Sequence, residues 1–125
     1  MSKKTEGTPW KTPKSEFEYF CDRVRHWCSL FSLQDWEVYF QLTALSQDVA
    51  TVQYDLEARQ AQFSYNTHLD NKRSRRTIDA DAFHEACELF LASLAVIAVR
   101  RTFDRDRMEG EIHRIIHVLQ GLLLK

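Results

Sequence analysis

The chain has 125 residues and a formal net charge of −1, with 44% hydrophobic and 28% charged residues. This length predicts one domain with a modest core, and the composition is typical of an ordinary soluble globular protein. Because the charges nearly balance, no general electrostatic attraction to nucleic acid or to a membrane surface is expected.

Three cysteines, without a tight pairing pattern, favour free thiols in a reducing compartment. The N-terminal residues are rich in lysine, but no apolar segment of a secretory signal follows them. The apolar run Leu89–Val99 is too short to cross a bilayer and is followed by Arg100-Arg101. We therefore expect a cytoplasmic protein that does not enter a membrane.

The N-terminal third of the chain predicts a tail followed by a helix. Residues 1–13 are polar and contain glycine and two prolines, which predicts a flexible tail with Trp10 as its candidate anchor. From Ser15, apolar residues recur at steps of three and four, which predicts an amphipathic helix running to about Leu30.

The middle of the chain predicts three strands. Residues Trp36–Leu42 alternate between apolar and polar, and Val49–Leu56 and Ala61–Leu69 also fit strands, with a turn at 58–60. Short antiparallel hairpins are the simplest connection between them. We therefore expect a small three-stranded antiparallel sheet.

The remaining residues predict a loop and two helices. Asp70–Thr77 is an exposed basic loop, and Asp79 is the expected N-cap of a helix from about Ala80 to Arg101. Asp104 is the expected cap of a last helix, about Arg105–Leu124. The order α-β-β-β-α-α predicts an α+β fold in which residues 14–125 form a single domain.

One pentapeptide carries the strongest chemical signal, His84-Glu85-Ala86-Cys87-Glu88, which reads H-E-x-x-E. On a helix, His84 and Glu88 share a face, with Glu85 about 100° around the axis. Helices that hold a catalytic zinc carry H-E-x-x-H, with the glutamate as general base. The segment begins a nearly continuous apolar stretch, where charged groups are costly unless they are paired, exposed or bound to a metal.

The last helix offers candidates for a third ligand. A helical wheel places Glu109 and Glu111 near opposite edges of its apolar stripe, and either can lean towards the preceding helix. His117 points away from the core and is expected to be exposed. One histidine and two glutamates form a donor set that zinc accepts, although carboxylates also suit manganese or iron. Glu85 would then be the general base for a metal-activated water.

Five segments in order resemble those of small phage-encoded metallopeptidases, whose layout is similar to that of SprT-like zinc proteases. Leu33–Phe40 is similar to the family's L-x-D-W-x-V-x-F strand, and Ala82–Leu91 is similar to its A-x-H-E-x-x-H-L-L-L helix. Two short strands, at Val49–Leu56 and Arg59–Tyr65, and an acidic C-terminal helix at Glu109–Leu119 complete the likeness. It extends from about Phe17 to Leu124.

The resemblance implies a minimal zincin-like fold of the gluzincin type and a protein or peptide substrate in the cytoplasm of a phage host. It assigns the first zinc ligand to His84, the general base to Glu85 and the second ligand position to Glu88. The sequence departs from the family at Glu88, where the family has histidine.

Simpler interpretations remain beside these roles. His84 also fits an ordinary, partly exposed helix histidine, and Glu85 fits a first-turn residue stabilised by the helix dipole. Glu88, Glu109 and Glu111 fit solvated or salt-bridged carboxylates. Three functions follow: a metal-dependent peptidase or hydrolase, an inactive descendant of that fold that binds a protein partner, and a nucleic-acid-associated protein. The third would use Arg100-Arg101 and the basic loop (Lys72, Arg73, Arg75 and Arg76), and it is the least favoured.

Overall fold

The computed structural model describes residues 10–99 and 105–124, and it confirms the α+β class. The elements in chain order are β1 (Trp10–Lys11), α1 (Lys14–Leu30), β2 (Glu37–Thr43), β3 (Ala50–Asp55), β4 (Gln60–Asn66), β5 (His68–Leu69), α2 (Arg75–Phe90), α3 (Ala92–Val99) and α4 (Arg105–Leu123). Helices α1 and α2 pack against each other and against a small sheet.

Of the predicted tail, residues 10–13 are described and include strand β1, and residues 1–9 lie outside the described part of the chain. Strand β1 pairs antiparallel with β5, and the Thr12 hydroxyl donates a 2.7 Å hydrogen bond to the Asn66 carbonyl. Trp10 serves as the expected anchor, since its indole Nε1 donates to Glu16. The sequence did not predict this pairing, because the partner strand lies almost sixty residues away in the chain.

The three-stranded sheet is present, but its strands are not all antiparallel. Strand β4 lies in the centre, parallel to β2 on one side and antiparallel to β3 on the other. The chain runs along β2, returns along β3 and re-enters between them. Strand β4 takes the centre because it is the most buried of the three, with Ala61, Phe63 and Tyr65 almost inaccessible to solvent.

Helix α2 begins at Arg75, five residues before the predicted start. The N-cap is Ser74, whose hydroxyl accepts a hydrogen bond from the Thr77 amide, so the basic segment is partly helical. The proposed cap, Asp79, instead accepts hydrogen bonds from Arg23 Nε at 2.7 Å and Trp27 Nε1 at 2.8 Å. Asp79 therefore joins α2 to α1.

The predicted long helix is interrupted after Phe90. Leu91 lies outside the helical region at the end of α2, and α3 begins at Ala92. Arg100, Arg101 and Asp104 lie outside the described residues. The last helix is confirmed as α4, which contains no fully buried residue and packs on the core mainly through Ile115, Val118 and Leu122. Among the described helices, none has both the length and the apolar character needed to cross a membrane.

Asn66 connects the sheet to the loop between β2 and β3, and it is 7% exposed. Its side-chain amide donates to the carbonyls of Leu45 and Asp48, and its Oδ1 accepts from the amides of Leu45 and His68. These bonds fix the loop that carries Asp48.

Replacing Asn66 with alanine is expected to destabilise the protein by about 2–3 kcal/mol, because several buried backbone groups lose their partner. Chemical denaturation measures this change. The control Gln53→Ala, on the exposed side of β3, is expected to stay within about 0.5 kcal/mol. Equal effects of the two substitutions would contradict the role of Asn66.

Candidate metal centre on helix α2

The rotation of α2 about its axis determines which groups of the H-E-x-x-E segment face solvent. Residues of α2 that recur at steps of three and four point into the core: Ile78, Ala82, Glu85, Ala86 and Leu89. Glu85 therefore lies in the buried stripe and is only 7% exposed. The side chains of His84 and Glu88 point outwards and are 70% and 52% exposed.

The three predicted residues nevertheless converge. His84 Nε2 lies 2.9 Å from Glu88 Oε2, as expected for residues one helical turn apart. One ligand atom from each of His84, Glu85 and Glu88 lies within 4.8 Å of the other two. The segment thus brings together one imidazole nitrogen and two carboxylates where the buried and the exposed sides of α2 meet.

Among the carboxylates of this region, Glu85 has the pKa that departs most from its ordinary value. Burial, with the negative charges of Glu88, Asp48 and Asp81 nearby, raises the pKa of Glu85 to about 8. Its neutral form is therefore favoured near pH 7 in the absence of a cation. A carboxyl group whose pKa is raised by burial and acidic neighbours marks a candidate catalytic or cation-binding site.

Two of these acidic neighbours were not identified from the sequence. Asp81 lies one turn before Glu85 on α2, so helical spacing was a usable signal for it. Asp48 lies on the loop that Asn66 fixes, and only the tertiary structure brings it near Glu85. Asp48 therefore had no local sequence signal.

An ion pair lies beside this acidic group. Arg73 contacts both carboxylate oxygens of Asp81, with Nη2 at 2.6 and 2.8 Å and Nε at 3.1 Å. Burial nevertheless raises the pKa of Asp81, because loss of hydration outweighs the attraction of Arg73. The pair holds the segment before α2 against the helix.

A polar cleft of about 430 Å³ adjoins the acidic group. It is formed by the β2–β3 loop, β5 and the segment before α2, and its lining includes Asp48, Asn66, His68 and Arg73. Asp48 belongs both to the cleft and to the surroundings of Glu85. Through Asp48, the cleft and the candidate centre share one acidic group.

The two glutamates of α4 are placed differently. Glu111 Oε1 accepts a hydrogen bond from Arg114 Nε at 2.9 Å, and Arg114 Nη2 donates to the carbonyl of Phe90. Glu109 is exposed. In the described part of the chain, neither glutamate belongs to the group that His84, Glu85 and Glu88 form. His117 is exposed, as predicted.

Three of the four basic residues between 72 and 76 contact groups within the fold. Arg73 pairs with Asp81, Lys72 lies over the Trp10 ring, and Arg75 lies over the Tyr19 ring. These contacts give the basic segment a structural role.

Searches of protein-family models, curated proteins and solved structures find no match to this chain. The resemblance to phage metallopeptidases therefore stays a prediction from the sequence. A function for the chain is therefore inferred from the geometry of the site.

The acidity of Glu85 predicts a pH dependence for the metal-free protein. Since its folded-state pKa of about 8 lies above its ordinary value of 4.5, the folded state holds more protons between these values. Glu85 therefore makes the free energy of unfolding fall as pH rises through this window, by at most about 1.4 kcal/mol per pH unit.

Chemical denaturation at several pH values, with a chelator present, measures this slope. Glu85→Gln is expected to flatten the curve between about pH 5 and 8, whereas the exposed control Glu57→Gln is expected to leave it unchanged. Parallel curves for wild-type protein and Glu85→Gln would contradict the assigned acidity.

Proposed function

We propose that the protein is a metal-dependent hydrolase in which His84 and Glu88 hold the metal and Glu85 lies beside them as the general base. The observation that carries the proposal is the convergence of one histidine and two glutamates within 4.8 Å. The high pKa of Glu85 supports it, because a neighbouring cation would offset the surrounding negative charges.

The chemistry of the donors fits a divalent transition metal. Imidazole nitrogen and carboxylate oxygen are common zinc ligands, and the carboxylates also suit manganese or iron. His84 and Glu88 would hold the metal. Their side chains are half or more exposed, so they can rotate to admit an ion without disturbing the core.

Glu85 would be the general base. When bound, zinc lowers the pKa of a coordinated water to about 7 and polarises a carbonyl group. Glu85 would accept a proton from the attacking water and return it to the leaving amine. A new C–O bond would thus replace the C–N bond of a peptide.

The substrate that fits best is a peptide or an unstructured protein segment. The sequence resemblance favours peptide hydrolysis, and the cleft beside Asp48 offers polar groups for a peptide backbone. Glu109 and Glu111 do not belong to the group that the described residues form, and Glu111 would have to leave Arg114 to become a ligand.

A second candidate function is protein binding by an inactive descendant of such an enzyme. One observation favours it: within the described residues, all three members of the group come from α2. A centre built on one helix leaves more of the metal open to solvent than one with ligands from two elements. Glu88 would then mark a lost histidine ligand.

The first prediction of the proposal concerns metal binding. Protein freed of metal is expected to bind about one equivalent of Zn²⁺, and His84→Ala is expected to weaken binding at least about tenfold because it removes the only nitrogen donor. Isothermal titration and elemental analysis measure affinity and stoichiometry. The control His113→Ala changes an exposed histidine of α4 and should bind normally. Less than about a tenth of an equivalent in wild-type protein would refute the metal site.

The second prediction separates metal binding from catalysis. Glu85→Gln is expected to keep Zn²⁺ and to lower hydrolysis of unfolded casein at least about 100-fold, because only the base is lost. The control Glu57→Gln, at an exposed residue with no role in the site, should hydrolyse casein at the wild-type rate. Full activity in Glu85→Gln would refute its role. Zinc binding without hydrolysis in wild-type protein would favour the binding function.

A further inference from the structure

An apolar surface unrelated to the metal site covers one side of α4. Four residues of α4 form an exposed row, with Ile112, Ile116, Leu119 and Leu123 exposing between 38% and 75% of their area. Phe83 of α2 and Leu91, which directly follows α2, are exposed to a similar degree beside it. A groove of about 540 Å³ lies between the C-terminal half of α4 and helices α1 and α2.

The spacing of this row is that of a helix-pairing seam. The residues are separated by four, three and four positions, as are alternating d and a positions of a heptad repeat. Ile115, Val118 and Leu122 use a different side of α4 to pack on the core. The exposed row is therefore not needed to pack α4 against the core of its own chain.

The exposed area is sufficient for a specific contact. Together with Leu124, the exposed apolar side chains of α2 and α4 present on the order of 600 Å². Single proteins rarely leave larger apolar patches uncovered. Two such patches bury on the order of 1,200 Å², which is the lower end of specific protein–protein interfaces.

The charges along α4 decide how two copies would align. Arg105 and Glu109 continue the seam towards the N-terminus of the helix, whereas residues 115–124 contain no Lys, Arg, Asp or Glu. Parallel helices would place Arg105 against Arg105 and Glu109 against Glu109 of the second copy, which is unfavourable. Antiparallel helices separate the two Glu109 residues by about 25 Å and bring the uncharged halves together.

The same charges disfavour a lipid surface. Helices that lie on membranes carry an excess of lysine and arginine on their polar face. Here three arginines of α4 are balanced by three acidic residues, and the polar side next to the seam carries His113 and Gln120.

We propose that the exposed row of α4 is a homodimer interface in which two α4 helices pack antiparallel about a two-fold axis between Ile116 and Leu119. Each Ile116 then faces Leu119 of the second copy, and each Ile112 faces Leu123. The apolar residues of α2 and the groove beside α4 extend the contact.

Sedimentation velocity and light scattering of the full chain between about 1 and 100 µM test this proposal. A mass that rises from one copy to two is expected within this range, given the modest interface. A monomer at every concentration would overturn the proposal without any variant being needed. A wild-type monomer that binds phosphatidylserine vesicles would also overturn it in favour of a lipid surface.

Paired charge variants test the alignment. Ile116→Lys alone and Leu119→Glu alone are each expected to raise the dimer dissociation constant at least about tenfold, with unchanged circular dichroism. Their equimolar mixture should recover the dimer, because the new lysine and glutamate face each other only in the antiparallel pair. Recovery with Ile116→Lys plus Ile116→Glu instead would overturn the antiparallel arrangement.

His117→Lys is the matched control, since it adds the same charge on the exposed side of α4 away from the seam. It is expected to dimerise like the wild-type protein. Loss of the dimer in this variant, equal to that in Ile116→Lys, would overturn the assignment of the seam.

Discussion

The rotation of α2 about its axis is the constraint on which the rest of the structure depends. Ala82, Ala86 and Leu89 must face the core, and the hydrogen bonds from α1 to Asp79 fix the same orientation. Because Glu85 belongs to this stripe, the fold carries a carboxyl group into a region of low polarity. The hydrophobic packing of α2 therefore produces the unusual acidity of Glu85 and leaves His84 and Glu88 in solvent.

This arrangement divides the candidate centre into two parts. The outer part, His84 and Glu88, is accessible and adjustable, as expected of metal ligands that must exchange solvent for an ion. The inner part is the buried carboxyl group of Glu85, with Asp48 and Asp81 nearby. A bound cation would favour the charged form of Glu85. The loop fixed by Asn66 carries Asp48, which belongs both to the polar cleft and to the surroundings of Glu85.

The sequence predicted what local patterns encode. Apolar periodicity gave α1, α4 and the approximate positions of the three strands, and helical spacing gave the convergence of His84 with Glu88. Strand order, the pairing of Trp10–Lys11 with His68–Leu69 and the approach of Asp48 to Glu85 depend on distant residues, so no local pattern encodes them. No glycine or proline near Phe90 indicates that the helix is interrupted there. The helical wheel of α4 gives the direction of Glu111 but not its ion pair with Arg114.

The measurement that tests the account most directly is a crystal structure of the zinc-loaded protein with anomalous diffraction at the zinc edge. We predict an anomalous peak for a zinc ion that lies about 2.0–2.2 Å from His84 Nε2 and from a carboxylate oxygen of Glu88, with Glu85 beside it. A peak at other residues only, or none while His84 and Glu88 remain paired, would contradict it.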